Sequence, residues 1–434
     1  MRNKVAILLA TLFAAIVCVL GLGTGTAQAD GETIFGFLFE GTGPDRVNYD
    51  GVDVTVSGPS GFEETATSDA DGRWDIPVPG EGTYTVALDQ ETLPEGVTLR
   101  NQDLESLDVV VAFGQNKPVL FPLGEGTRNV ASRWDEAAQL TAEGLRFGLI
   151  IALAAVGLSL IFGTTGLTNF AHGELVTLGG LLTYWLNSGN LPRFLPDGPQ
   201  IPFIAAAAIA LVLCGLLGWA NDAGLWAPLR RRGTGLIAAM IVSIGLSILV
   251  RYIYLYLFGG TNQSYRSYQG QVGLDVGPIT LASKDYISMG IAIVVLMATA
   301  YALLRTRLGK ATRAVADNPA LAAASGIDVD HVIKVVWIAG SVLAGLSGVL
   351  LGLAQGVNFQ MGFQILLLIF AAVTLGGLGT AFGALLGSLV VGMFISVSTL
   401  WIPIELKNVG ALGILIVVLL VRPQGILGRA QRVG

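Results

Sequence analysis

The sequence predicts a multi-domain chain in which an all-β sandwich precedes an all-α polytopic membrane domain of about eight to nine helices, some broken or re-entrant. Two observations predict it. Of 434 residues, 53% are hydrophobic and 13% charged, and the mean hydropathy is +0.66, which is the balance of a membrane protein. Along the chain the pattern then changes from alternation with a period of two to apolar runs near the ~20 residues that cross a bilayer.

Met1, Arg2, Asn3 and Lys4 lead into an apolar stretch from Val5 to Leu22, and Ala27-Gln28-Ala29 precedes Asp30. A basic start, an apolar middle and small residues at the end make a secretory signal, so residues 1–29 are expected to be removed after Ala29. An uncleaved first helix is the alternative, and either way the next segment is exported.

The exported domain is placed at residues 30–123. Val52, Val54 and Val56, then Trp74, Ile76 and Val78, then Tyr84, Val86 and Leu88 alternate as half-buried strands do. Turn signals at Pro59-Ser60-Gly61, Asp71-Gly72 and Pro79-Gly80 separate them at the spacing of a sandwich of about seven strands. Asp69, Asp71 and Asp75 fail the spacing of a calcium loop and read as an acidic solvated turn. No nucleophile, base and orienting group recur together, so this is a binding or spacing module rather than an enzyme. The stretch from Gly51 to Leu88 resembles prealbumin-like or Cna-B-like extracellular modules.

Residues 124–143 are polar and mixed in charge and are expected to link the sandwich, as plain linker or as an amphipathic helix at the membrane surface, to a membrane domain at 144–429, with a cytoplasmic tail at 430–434. Nine apolar runs are read: Leu145 to Phe162, Glu174 to Leu186, Ile201 to Ala220, Gly235 to Phe258, Tyr286 to Leu304, Val332 to Ala354, Phe363 to Leu378, Ala381 to Leu400 and Val409 to Val421. From Asp30 to Asp135 there are about twenty acidic side chains against about six basic ones, whereas later positive charge gathers in clusters. These are Arg230 to Arg232; Arg305, Arg307, Lys310 and Arg313; and Arg422, Arg429 and Arg432. Counting crossings from an exported start places every cluster inside, as the positive-inside rule requires.

Cys18 and Cys214 lie in apolar runs, and His172 and His331 lack clustered partners, so no disulfide framework and no metal centre is expected. No Walker motif is present and no cofactor is expected. An acidic balance without a basic stripe argues against nucleic acid.

The run from Leu160 to Glu174 places polar groups between two apolar helices with no basic residue to mark a cytoplasmic loop. Gly163, Gly166 and Gly173 free the backbone from regular helix, which is tolerated at membrane depth only inside protein or around a cavity. His172 and Glu174 are costly there unless paired or functional. Asn169-Phe170-Ala171-His172-Gly173-Glu174 resembles the integral-membrane permeases of branched-chain amino acid ABC importers, specifically the H-type subunit of the usual pair. The resemblance extends from Gly144 to Arg429. It includes Leu308 to Ile327, similar to the loop whose short helix docks into the ATPase, and implies coupling roles for Asp317, Asn318, Ala322, Ala323 and Gly326. It also includes the Gly-rich turn with Gly376, Gly377, Gly379, Gly383 and Gly387, read as a helix-packing face or re-entrant bend.

What the resemblance implies is a bacterial plasma-membrane transporter subunit without covalent chemistry. Its expected partners are an M-type permease, two cytoplasmic ABC ATPases and an extracellular solute-binding protein. Urea or short amides are the alternative substrates, and an ion-coupled secondary transporter is the alternative mechanism. Asn169, Phe170, His172, Gly173 and Glu174 are expected either to line the solute path or to bond the exposed backbone of a broken helix.

Overall fold

The computed structural model describes residues 32–40, 47–94, 96–99, 105–111, 116–121, 123, 133–188, 199–265, 273–401, 413, 416, 420 and 425–427. Ala27 and Ala29, the run from Val409 to Val421 as a whole, and Arg422, Arg429 and Arg432 lie outside the described residues. The chain divides into two units, Met1–Thr127 and Arg128–Gly434.

The first unit is β-rich. Its strands are β1 (Glu32–Phe37), β2 (Phe39–Glu40), β3 (Val47–Asn48), β4 (Asp53–Ser57), β5 (Glu63–Thr67), β6 (Arg73–Val78), β7 (Gly82–Leu88), β8 (Ser106–Val111) and β9 (Asn116–Val119). They form one sheet in the order β6-β1-β9 and another in the order β5-β4-β7-β8, with a short β2-β3 ribbon. Val54, Val56, Trp74, Ile76, Val78, Tyr84, Val86 and Leu88 are all buried, as their period-two spacing predicts. They share one apolar cluster with Ile34 and Val119, so both sheets contribute to it. The acidic turn is closed locally, because Asp69 Oδ1 accepts from the backbone N–H groups of Asp71 (2.9 Å) and Arg73 (2.8 Å).

The second unit is helical. It contains α1 (Arg133–Thr165), α2 (His172–Ser188), α3 (Phe203–Asn221), α4 (Ala227–Arg231), α5 (Leu236–Phe258), a hairpin of β10 (Gly273–Val276) and β11 (Ile279–Ala282), α6 (Ser283–Arg305), α7 (Arg307–Asp317), α8 (Pro319–Ala324), α9 (Val329–Gln355), α10 (Met361–Gly376) and α11 (Ala381–Val397). A π turn at Asp222–Trp226 joins α3 to α4. Among the described residues, six helices are long and apolar enough to cross a membrane, namely Arg133–Thr165, Phe203–Arg231, Leu236–Phe258, Ser283–Arg305, Val329–Gln355 and Ala381–Leu400. The apolar windows of α1 and α9 are each 78% buried, against 17% for α5 and α6, so α1 and α9 form the centre and α5 and α6 the rim.

Three local features add to the sequence reading. Residues 133–143, expected as linker, are the opening turns of α1; Gln139 there bonds Glu143 one turn on and exchanges two hydrogen bonds with Thr280 of the hairpin. Between α5 and α6, Gly277-Pro278 turns β10 and β11 into a hairpin. Of the basic clusters, Arg230 and Arg231 close α4, and Arg307, Lys310 and Arg313 belong to α7.

Glycine sets the central contact. A Cβ on Gly157 of α1 would meet the carbonyl oxygen of Gly340 on α9 at 2.7 Å, and one on Gly340 would meet that of Gly157 at 3.0 Å. Backbones this close leave no room for a side chain. Gly157→Leu is therefore expected to cost about 1–3 kcal/mol or more. Gly245→Leu, with open space around its Cβ, is expected to stay within about 0.5 kcal/mol. Unfolding of the detergent-solubilised protein followed by tryptophan fluorescence distinguishes them, and equal losses would contradict the close crossing.

Candidate functional site

The hexapeptide from Asn169 to Glu174 lies where the helical path breaks. α1 ends at Thr165, Gly166 takes φ +70°, and its N–H returns to the carbonyl of Phe162 at 2.7 Å, a helix stop that favours glycine. α2 then begins at His172, whose Nε2 lies 2.9 Å from the carbonyl oxygen of Ala154. Ala154 is eleven residues before the end of α1, or about 16 Å along its axis. Residues 166–171 therefore run back beside α1, and α2 starts partway along it rather than at its end.

Non-helical backbone at that depth needs partners, and side chains supply them. Ser243 of α5 accepts from the N–H of Phe170 (3.0 Å). Asn169 Oδ1 accepts from the N–H of Ala171 (3.0 Å), and Thr165 Oγ1 from that of Leu167 (3.2 Å). Phe170 packs on Phe370 of α10, with ring centroids 5.0 Å apart. A Cβ on Gly173 would meet the carbonyl oxygen of Gly362 at 2.8 Å, which brings α2 against the start of α10.

Glu174 is 2% exposed. Its Oε1 accepts from Arg251 Nη2 (2.8 Å), Arg251 Nε (3.1 Å) and Ser247 Oγ (2.9 Å), all from α5. Its backbone carbonyl accepts from Tyr254 at 3.1 Å. The Arg251 guanidinium also lies 3.6 Å from the ring centroid of Phe363 on α10. Arg251, Ser243, Ser247 and Tyr254 were not singled out by sequence. A lone arginine inside the apolar run from Gly235 to Phe258 was the available signal, and Ser243, Ser247, Arg251 and Tyr254 fall at the three- and four-residue spacing of one helix face.

Three buried polar atoms of the hexapeptide have no hydrogen-bond partner among the described residues: Asn169 Nδ2, His172 Nδ1 and Glu174 Oε2. Buried groups of this kind are rare and call for a cause.

The other predicted positions fall elsewhere. Gly376 and Gly383 meet where α10 and α11 pack together, each blocking a Cβ on the other, and Gly387 abuts the carbonyl of Ala372. Gly379 does not share that face: it precedes α11, has φ +77° and lies against Gly163 of α1, because Gly377 to Thr380 form the turn between the two helices. Asn318 caps α8, its Oδ1 accepting from the N–H of Leu321 at 3.0 Å. Ala322 is buried, whereas Asp317, Asn318, Ala323 and Gly326 are exposed, and Gly326 has φ +84°.

Residues 140–419 match the family described as branched-chain amino acid transport system / permease component. The chain belongs to this family. It is 30% identical over 294 residues to the high-affinity branched-chain amino acid transport system permease protein LivH of Escherichia coli (strain K12), covering 66% of this chain and 94% of that relative. It is 28% identical over 300 residues to the corresponding protein BraD of Pseudomonas aeruginosa, covering 68% and 96%. The ribose import permease protein RbsC of E. coli (strain K12) is 26% identical over 252 residues, covering 56% and 72%. No solved structure matches the chain. The chain is thus a multi-pass membrane permease, and its β-rich unit lies outside the family match.

Arg251→Gln or Glu174→Gln alone is expected to strand a buried charge or its donors and cost about 3–5 kcal/mol. The double substitution is expected to cost clearly less than the two losses added together. A double-mutant cycle on denaturant unfolding in detergent checks this, and strictly additive losses would show that the pair does not act as one unit.

Proposed function

We propose that the chain is the H-type permease subunit of an ATP-driven ABC importer for branched-chain amino acids, forming half of the translocation path. The family match across residues 140–419 supports the transport role, and the names of LivH and BraD support the substrate. The structural feature that supports a solute path is the broken helix at Asn169 to Glu174, with its three unpartnered buried polar atoms. A polar interruption of this kind is costly in an apolar bundle and is retained in transporters where a solute passes.

Coupling to cytoplasmic ATPases is assigned to α8. Five apolar residues follow its Pro319, yet only Ala322 is buried and Leu321 is 65% exposed. A short apolar helix held outward suits docking into another subunit. The arm is stiffened at both ends, by Thr306 capping α7 through the N–H of Gly309 (3.0 Å) and by Asp328 capping α9 through that of His331 (2.9 Å). On this reading the end of the bundle carrying Arg230, Arg305 and Arg313 faces the cytoplasm, and the β-rich unit is an exported sandwich after signal removal. The partners are an M-type permease, two ATPases and a solute-binding protein.

Proteoliposomes holding the reconstituted complex are expected to take up labelled leucine, isoleucine or valine only when ATP is present. Uptake driven by an ion gradient without the ATPases would refute the mechanism, and uptake of urea but no amino acid would refute the substrate. Leu321→Glu is expected to lower ATP-driven uptake at least tenfold while the protein still assembles, and unchanged uptake would remove α8 from the coupling contact.

A further inference from the structure

Away from the hexapeptide, a groove of about 350 Å³ runs between α6 and α9, with α7 closing one end and Leu160 of α1 at its floor. Small residues, Ala302 on α6 and Ala339 on α9, open it. The three hydroxyls in its wall face their own helices. Thr299 donates to the carbonyl of Val295 (2.8 Å), Thr306 to that of Ala302 (2.6 Å) and Thr312 to that of Leu308 (2.9 Å). The surface presented is therefore apolar.

The length and the charge of the groove narrow the occupant. On α6 the lining extends from Val295 to Leu303, with Thr306 just past the helix end; the helical part is eight residue steps, or about 12 Å. One leaflet is half of the ~30 Å hydrocarbon core, about 15 Å. At the end where α6 stops, Arg305 and Arg307 flank Thr306, and Lys334 precedes Val335 on the opposite wall. All three cations are exposed, and none forms an ion pair among the described residues, whereas Arg146, Arg230, Arg231 and Arg251 all do. An apolar slot most of a leaflet deep with cations at its mouth matches an acyl chain below a negatively charged headgroup.

We infer that this groove is a binding site for an anionic phospholipid, with one acyl chain lying between α6 and α9 and the headgroup held by Arg305, Arg307 and Lys334. Leu308, Gly309 and Thr312 of α7 belong to the wall, so the bound chain braces the arm that leads to α8. The lipid site itself does not depend on the import reading, whereas the consequence for coupling rests on it.

Native mass spectrometry of the full chain with its partner subunits, titrated with phosphatidylglycerol or phosphatidylcholine of matched chains, tests the site. The wild type is expected to bind phosphatidylglycerol at least fivefold more tightly. Ala339→Trp, which fills the groove, is expected to lower that binding at least fivefold, while Val294→Trp, on the exposed face of the same α6, leaves it unchanged. The triple variant Arg305→Gln, Arg307→Gln and Lys334→Gln is expected to bind both lipids equally. Ala302→Leu gives the same reading with a smaller side chain should thermal unfolding show Ala339→Trp to be misfolded. Equal wild-type affinity for the two lipids, full binding by the filled variants, or efficient crosslinking of Ala302→Cys to the partner permease would each overturn the assignment. The assay contains neither ATP nor amino acid, so its failure is distinct from a failure of import.

Discussion

An apolar bundle can hold a break in a helix only if the freed backbone finds partners inside the protein, since lipid offers none. That constraint organises this membrane unit. The reversal at Gly166 sends six residues back along α1, and the N–H groups of Leu167, Phe170 and Ala171 among them are met by Thr165, Ser243 and Asn169. Ser243 is one of four residues on a single face of α5; Ser247, Arg251 and Tyr254 continue that face and close on Glu174. The rim helix α5, mostly exposed along its length, is thereby fixed to the centre by polar contacts rather than by deep apolar burial. In such an environment a paired charge matters less for net stability than for the one arrangement it permits.

The centre follows a different rule. α1, α9, α2 and α10 approach at glycines, with Gly157 against Gly340 and Gly173 against Gly362, so backbone meets backbone. Tail-like side chains pack against lipid as well as against one another, which leaves close van der Waals contact and interhelical hydrogen bonds to hold helices together. Both are present: Ser347 of α9 donates to the carbonyl of Ile150 on α1 at 2.8 Å, and Thr177 of α2 accepts from the N–H of Gly362 at 3.1 Å. The abundance of glycine, ambiguous as composition, becomes specific once each residue has a neighbour.

Local periodicity was legible and long-range pairing was not. Val54, Val56, Trp74 and Ile76 declared their inward face because a strand alternates with a period of two whatever it packs on. The hexapeptide declared itself because polar residues without basic neighbours interrupt an apolar run. Arg251 did not, because its meaning depends on Glu174, 77 residues away in sequence, and one charge in an apolar run has no partner until the helices are placed. Gly379 falls on the turn side of the two readings its Gly-rich stretch left open, because the helix starts only at Ala381, and the end of a helix is set by its turn rather than by its period.

The arm at the basic end and the broken helix are joined by one element. α8 meets α9 across Gly326 and Asp328, and α9 then runs past Gly157 of α1 and, at Gly345 and Gly348, past Gly179 and Val176 of α2. At those glycines no flexible side chain lies between the helices to absorb a shift. A displacement of α9 along its axis must therefore slide against α2 or carry α2 with it, and α2 begins with His172 and Glu174. α5 is tied to that start by the Glu174–Arg251 pair together with Ser243, Ser247 and Tyr254. Close-packed elements respond by moving between discrete arrangements rather than by bending. The ion pair thus belongs to a set of polar contacts that joins the rim to the centre at the start of α2.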